Sequence, residues 1–163
     1  MLSQVDKIIF LKGIPFFANS TMQQLTSLAS ACQTQNYSPD EIIVDVGDIP
    51  RALFMVASGH VKVTHFVGDR TTEYTLDSRA YFGEAYVFDE SIADFKAVST
   101  NETMILRLMY EPLYALIKTD INLSYNIVRN LSQSIKVKND KIAQMTRKHT
   151  RGMHQIFDKL DGL

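Results

Sequence analysis

The sequence has little of what marks several common protein classes. It contains one cysteine, Cys32, which excludes an internal disulfide framework and any zinc site built from several cysteines. Its formal net charge is −1, so it offers no overall positive field for nucleic acid. The apolar N-terminal stretch is interrupted by Asp6, Lys7 and Lys12, which leaves it too short for a signal-peptide core or a membrane span. We therefore expect a cytoplasmic protein without a membrane segment.

Arrangements typical of catalysis are also missing from the sequence. There is no Walker loop, no Gly-x-Ser-x-Gly elbow and no Ser-x-x-Lys pair with supporting motifs. His60 and His65 are expected on opposite faces of one strand, and His149 and His154 have no framing cysteine or carboxylate. We predict neither enzymatic activity nor a metal site.

Two short helices are predicted at the start of the chain. Apolar residues recur at helical spacing from residue 4 to residue 12, and a Gly-Ile-Pro segment then breaks the pattern. Thr21 and Gln24 have the spacing of a capping box, in which each side chain satisfies the free backbone N–H of the other. The second helix should therefore run from about residue 21 to residue 32.

From residue 35 to residue 108 the chain changes to short β-branched and aromatic runs separated by Gly, Asp and Pro. This texture is typical of an antiparallel sandwich or barrel. The predicted strands are 41–46, 53–57, 60–66, 70–76, 94–99 and 103–108. With about seven strands in this stretch, we expect a compact barrel.

Helical spacing returns after Pro112, and Asp120 is the predicted N-cap of a long helix. Its apolar residues follow a heptad-like spacing and form a candidate dimer seam: Val128, Leu131, Ile135, Ile142 and Met145. Such a seam predicts a homodimer through the C-terminal helix. We divide the chain into a domain at 1–135 and a helical extension at 136–163, the predicted dimerisation segment.

This order of helices, barrel and long helix resembles the cyclic-nucleotide-binding domain family, which includes bacterial catabolite-activator-type regulators and regulatory subunits of kinases. The resemblance runs from about residue 5 to residue 135 and is carried by three segments: KIIFLKGIPFFANSTMQQLTSLA, LFMVASGHVKV and YFGEAYVFDESIADFKAVSTNETMILRL. The last resembles the family's phosphate-binding cassette. The implied fold is mainly β, of the α+β kind: an antiparallel double-stranded β-helix, or jelly-roll-like barrel, flanked by N-terminal helices and a long C-terminal helix.

In that family the cassette loop holds the cyclic phosphate, a glutamate takes the ribose hydroxyl, and an arginine nine residues further on pairs with the phosphate. Four residues match the first half of the cassette: Phe82, Gly83, Glu84 and Ala85. Gly83 would let the backbone approach a ligand closely, and the turn after it would present free N–H groups to an anion. The second half departs from the pattern, because Ala93 stands in place of the arginine and Asp94 follows it.

The missing arginine predicts weak binding of cyclic AMP and cyclic GMP. An arginine–phosphate pair contributes charge-assisted hydrogen bonds of roughly 1.5–3 kcal/mol each, so its loss should weaken binding by about two orders of magnitude. A neighbouring aspartate adds repulsion. Lys96, on the strand face of Asp94, and Lys138, from the long helix, are the candidate replacements.

Both lysines also have structural interpretations. Lys96 could be a solvated strand residue or a partner of Asp94, and Lys138 could be a polar residue that sets the register of a coiled coil. The resemblance places Lys138 and Asn139 near where the family's long helix touches the nucleotide base. These alternatives stay open for both residues.

Two functions stay open for the whole chain. In the first, a cyclic nucleotide or another small anionic ligand binds the cassette of a non-catalytic sensor and signals through the long helix. In the second, a degenerate domain without a ligand serves for dimerisation or for docking a protein partner. About 28 residues follow Ile135, too few for a winged helix-turn-helix, so we expect no sequence-specific DNA binding by this chain.

Overall fold

The computed structural model describes the backbone of residues 2–160 and the side chains of residues 2–66, 68–140, 143 and 144. It begins with helix α1 (Gln4–Lys12), a 3₁₀ turn (Pro15–Phe17) and helix α2 (Met22–Ala31). The capping box of α2 is present: Gln24 N donates to Thr21 Oγ1 at 3.2 Å, and Thr21 N donates to Gln24 Oε1 at 2.9 Å. Both predicted helices are confirmed within about one residue.

Within residues 2–160, eight strands follow α2. They are β1 (Gln33–Tyr37), β2 (Ile42–Val44), β3 (Ala52–Ser58), β4 (Val61–Val67), β5 (Arg70–Leu76), β6 (Tyr81–Phe82), β7 (Phe95–Ser99) and β8 (Thr103–Met109). They form two four-stranded sheets, ordered β1-β8-β3-β6 and β2-β7-β4-β5, in which the paired strands are antiparallel. The predicted fold class, a compact antiparallel barrel with flanking helices, is confirmed.

Two of these strands, β1 and β6, were not expected from the sequence. Strand β1 reads QTQNY and buries only Tyr37, because it lies at a sheet edge and pairs through its backbone with β8. Strand β6 has two residues, which pair with Met55 and Phe54 of β3. Neither strand carries the apolar alternation that identifies a half-buried strand.

The first sheet is covered on both faces. Leu53 and Met55 of β3 belong to a core shared with the helices, whereas Phe54 and Val56 belong to the core inside the barrel. Successive side chains of a strand point to opposite faces, so β3 contributes to both cores. The continuous burial of residues 52–56 follows from this position.

Helices α3 (Tyr110–Thr119) and α4 (Ile121–Leu160) complete the described chain. The predicted cap at Asp120 is present, since Leu123 N donates to its carboxylate at 3.0 Å. Leu123 and Ile127 pack into the helical core, and the Nδ2 of Asn130 donates to the carbonyls of Phe16 and Ala18. The beginning of α4 is therefore fixed against the 3₁₀ turn. Among the described helices, none combines the length and the apolar character needed to cross a bilayer.

The predicted dimer seam on α4 includes Leu131, but the exposed apolar face of this helix does not. Val128 and Ile135 are 62% and 59% exposed, as a seam requires, but Leu131 is half-buried and packs against the helical core. A helix that rests on a domain uses part of its circumference for the core, and Leu131 lies at that boundary. The exposed apolar residues on this side are Ile121, Tyr125, Val128 and Ile135. The side chains of Ile142 and Met145 lie outside the described residues.

Candidate functional site

A small cavity lies where the second sheet, the loop after β6 and helix α4 meet. Its volume is about 100 Å³, and its lining residues are Val63, His65, Tyr74, Phe82, Gly83, Glu84, Ala85, Tyr86, Phe95 and Lys138. The first half of the cassette and the long helix therefore border the same space. Five of the nine predicted ligand residues line it, namely Phe82, Gly83, Glu84, Ala85 and Lys138.

At Gly83 the backbone of the loop lies close to the backbone of β3, and this close approach holds the loop in place. This residue has a φ of +87°, and a Cβ built on it would lie 2.5 Å from the carbonyl oxygen of Ala52 and 3.0 Å from the ring of Phe54. The backbone N–H groups of Tyr86 and Val87 both donate to Gly83 O at 3.0 Å, which closes a tight helical turn. Only glycine satisfies both the left-handed conformation and the short distance to β3.

Glu84 and Lys138 connect the loop to the long helix. Lys138 Nζ donates to Glu84 Oε1, and the two side chains are 61% and 15% exposed for Lys138 and Glu84 respectively. Burial lowers the pKa of Lys138, but the hydrogen bond and negative charge of Glu84 outweigh it and raise this pKa above its ordinary value. The ammonium group is therefore charged and already paired within the site.

In the second half of the cassette, Phe95 lines the cavity, but the two residues that depart from the family pattern, Ala93 and Asp94, do not. Ala93 is 1% exposed within the barrel core, and its backbone N–H donates to Asp48 O at 2.7 Å. Asp94 is exposed, accepts a hydrogen bond from the Tyr86 hydroxyl at 2.5 Å and lies 3.7 Å from His65 Nδ1. Burial and the hydrogen bond to Asp94 raise the pKa of Tyr86 to about 12, so this hydroxyl stays protonated at neutral pH. Ala93 and Asp94 do not line the cavity.

The structure does not bring Lys96 or Asn139 to the cavity. Lys96 Nζ lies 3.5 Å from Asp45 Oδ1 rather than beside Asp94, and a role of Lys96 toward a phosphate stays a prediction. Its neighbours Phe95 and Ala97 face the barrel core, and strand alternation therefore turns Lys96 outward. Asn139 follows Lys138 by one residue, which rotates it about 100° around the helix, and it is exposed.

Sequence reasoning missed the aromatic side of the cavity. His65 Nε2 lies 3.1 Å from the Tyr74 hydroxyl, and the two rings stack with centroids 5.8 Å apart. Tyr74 pairs with Val63 across β4 and β5. The alternation of β4 does place His65 on the face of Val61 and Val63, but only the strand register brings Tyr74 beside it.

The family model for the cyclic nucleotide-binding domain matches residues 34–120. The cyclic AMP receptor protein of Thermus thermophilus is 30% identical over 128 residues, which cover 77% of this chain and 59% of that protein. The chain thus spans less than two thirds of the length of this relative.

Solved structures of the same family share the fold. The Thermus thermophilus catabolite activator protein superposes with a TM-score of 0.69 at 25% identity, covering 81% of this chain and 63% of that one. A cyclic nucleotide-binding domain from Methylobacillus flagellatus gives a TM-score of 0.72 at 18% identity, covering 85% of this chain and 79% of that one.

Proposed function

Since the chain belongs to the cyclic nucleotide-binding domain family, we propose that it is a non-catalytic sensor whose small anionic ligand enters between the cassette loop and helix α4. The observation that carries this proposal is the cavity itself, bordered by Glu84 on the loop and by Lys138 on the helix. A ligand in that space contacts both elements. Its binding free energy would therefore depend on the position of the helix, which is the requirement for a signal.

When the ligand binds, its own contacts to Glu84 and Lys138 replace the contact between these two residues. The anionic group of the ligand takes the Lys138 ammonium, and the Glu84 carboxylate then accepts a hydrogen bond from a hydroxyl of the ligand. The cavity of about 100 Å³ is smaller than the roughly 300–1,000 Å³ of most small-molecule sites. Binding must therefore displace the loop or α4, and this displacement is the proposed output.

Cyclic AMP and cyclic GMP should bind weakly. Ala93 supplies no positive charge, Asp94 is held by Tyr86, and Lys96 is held by Asp45. Without the arginine pair, the affinity should fall by about two orders of magnitude.

Thermal titration tests this function. The melting temperature is followed while cyclic AMP, cyclic GMP and a cyclic dinucleotide are added separately, and we expect a rise only at millimolar concentrations. Lys138→Met removes the ammonium and should abolish the rise. Lys136→Met is the matched control on the same helix, at an exposed residue that does not line the cavity. Absence of any rise in the wild type, or a rise that survives Lys138→Met, would count against the sensor.

The second candidate function is dimerisation through α4. It is favoured by the four exposed apolar residues Ile121, Tyr125, Val128 and Ile135, which follow one another at heptad spacing. In this function the domain forms a homodimer whether or not a ligand binds, as a degenerate domain would. A protein partner that docks on the same face is the alternative occupant.

Light scattering distinguishes self-association from a monomer. We expect the wild type to be dimeric and the double variant Val128→Asp, Ile135→Asp to be monomeric. Val5→Asp with Ile9→Asp is the matched control, because these α1 residues are 63% and 62% exposed. A wild type that stays monomeric at high concentration would remove this function.

A further inference from the structure

The cassette cavity contains a histidine that the proposed ligand contacts to Glu84 and Lys138 do not use. His65 of β4 lines this cavity, and 35% of its side chain is exposed to solvent. Its ring packs against the rings of Tyr74 on β5 and Phe95 on β7, with centroids 5.8 Å and 5.6 Å away respectively. Histidine side chains change charge between about pH 5 and 8, so a solvent-accessible titratable group borders the candidate site.

The two ring nitrogens of His65 face different partners. Nδ1 lies 3.7 Å from the Asp94 carboxylate, which already accepts a hydrogen bond from the Tyr86 hydroxyl. Nε2 lies 3.1 Å from the Tyr74 hydroxyl. In the neutral ring the carboxylate favours the hydrogen on Nδ1, because that tautomer directs the positive end of an N–H toward the negative charge. Nε2 is then an acceptor, and the Tyr74 hydroxyl donates to it.

Protonation of His65 reverses the direction of its hydrogen bond with Tyr74. Both ring nitrogens of an imidazolium are donors, so the Tyr74 oxygen becomes the acceptor and its own hydrogen is released. Tyr74 lines the same cavity and is 42% exposed. Burial and the negative charge of Glu84 raise the pKa of Tyr74, so its hydroxyl keeps its hydrogen at neutral pH. The released hydrogen is thus available to a ligand.

The other charged and titratable groups around this ring are paired with one another. The Lys138 ammonium of α4 is paired with Glu84 of the loop after β6, and the Tyr86 hydroxyl of that loop donates to Asp94, which precedes β7. An anion that enters the cavity therefore meets donors already in use and is repelled by two nearby carboxylates. A donor released at Tyr74, together with the positive charge of His65, offsets that repulsion.

On the basis of the sensor function proposed above, we propose that His65 makes anion binding depend on pH, because its protonation releases the Tyr74 hydroxyl to donate to the anionic group of the ligand. The affinity is highest when His65 is charged and falls as the pH rises through the range in which histidine loses its proton. Near neutral pH, binding of the anion is accompanied by uptake of a proton on His65.

Cyclic AMP is the probe, because its phosphodiester stays singly negative across this range. Its affinity for the full chain is measured from ¹⁵N–¹H correlation spectra at about pH 5.5 and about pH 8. We expect the wild type to bind about tenfold more tightly at the lower pH. His65→Gln and Tyr74→Phe should each lose this dependence on pH. His60→Gln is the matched control and should retain it, because His60 is exposed beside Asp77 and does not line the cavity.

A second measurement needs no ligand. Long-range ¹⁵N–¹H spectra of the histidine rings at about pH 8 report the tautomer, and we expect the hydrogen of neutral His65 on Nδ1. A hydrogen on Nε2 would overturn the proposal, since the Tyr74 hydroxyl would then already be the acceptor. This measurement and the pH comparison on the wild type stand even where a variant fails to fold.

Two kinds of failure are distinguishable in these experiments. Equal wild-type affinities at the two pH values, or a pH dependence that survives in folded His65→Gln or Tyr74→Phe, overturn the role of His65 and leave the sensor function standing. A dependence that survives His65→Gln would assign the titration to a carboxylate. Absence of cyclic AMP binding at both pH values would remove the sensor function, and the role of His65 with it.

Discussion

The two halves of the cassette, residues 82–86 and 93–96, occupy different environments although they belong to one continuous segment. The first half lies against β3 and reaches α4 through the Glu84–Lys138 pair. The second half belongs to the barrel: Ala93 is part of its core, and the charge of Lys96 is paired with Asp45 on its surface. The contact between the loop and the helix thus lies in the first half, whereas Ala93 and Lys96 of the second half take no part in it.

This difference shows that the shape of the cassette and its charge have separate physical origins. Its shape depends on a glycine that allows the backbone of the loop to approach β3. Its charge depends on single side chains, which can change without altering the turn. The turn at Gly83 can therefore form whichever side chains stand at positions 93 and 94.

Among the substitutions considered, Gly83→Ala should have the largest effect on stability, because it disrupts the turn in the first half of the cassette. The new Cβ would meet the carbonyl oxygen of Ala52 at 2.5 Å in a left-handed conformation, so we expect a loss of about 3 kcal/mol or more in the free energy of unfolding. Gly68→Ala is the matched control, since Gly68 has a φ of +58° with nothing within 4 Å of the new Cβ. It should cost about 1 kcal/mol. Urea denaturation measures both, and equal losses would contradict the close approach at Gly83.

Ala93→Arg with Asp94→Ser should restore charge to the second half. Because Ala93 is 1% exposed, the unpaired arginine should destabilise the domain by about 2 kcal/mol or more. Cyclic AMP should recover this stability by pairing with the guanidinium, and its affinity should rise by about a hundredfold.

Ala93→Met with Asp94→Ser separates the charge from the added volume, because methionine is long but neutral. Isothermal titration calorimetry with cyclic AMP compares the two double variants. An arginine variant that binds no better than the methionine variant would show that the pocket differs from its relatives by more than one side chain, and it would favour the degenerate domain.

A double-mutant cycle on Glu84→Gln and Lys138→Met measures the contact between loop and helix. We expect a coupling free energy of about 1 kcal/mol or less, because the Lys138 side chain is 61% exposed and water screens the pair. The coupling should decrease at high salt. Two substitutions with additive effects on urea denaturation would mean that the ion pair does not hold the helix.

Tyr86→Phe should have the smallest effect, because it removes one hydrogen bond between the two halves. At neutral pH we expect a loss of about 0.5 kcal/mol, since Asp94 is 64% exposed and water competes for its carboxylate.

Tyr86→Phe also tests how the free energy of unfolding depends on pH in the alkaline range. The pKa of Tyr86 is raised from 10.0 to about 12 in the folded protein, so its contribution to stability is complete below about pH 10 and is lost as the pH rises through about 12. Measured from pH 8 upward, the wild type should therefore lose stability relative to Tyr86→Phe over this interval, and the order of the two should reverse once that loss exceeds about 0.5 kcal/mol. A constant difference would contradict the raised pKa.

Short-range signals accounted for most of the fold. The capping box at Thr21, the cap at Asp120 and the β-branched and aromatic runs of β3 and β4 depend on neighbours within a few residues, and each predicted its element. Strand β1 escaped prediction because an edge strand is held by backbone pairing, which leaves no apolar pattern. In the candidate site, Phe82–Ala85 and Lys138 were found from the sequence, whereas His65, Tyr74 and Tyr86 were not.

The sequence by itself determined the order of the elements, the glycine of the loop and the absence of the arginine, because each depends on residue type and local spacing. Only the tertiary structure decided which charges meet. Lys138 joins Glu84 across 54 residues of sequence, Lys96 turns outward to Asp45, and Leu131 turns inward to the core. These pairings depend on strand register and on the rotation of α4 about its axis, which long-range packing fixes and local spacing does not.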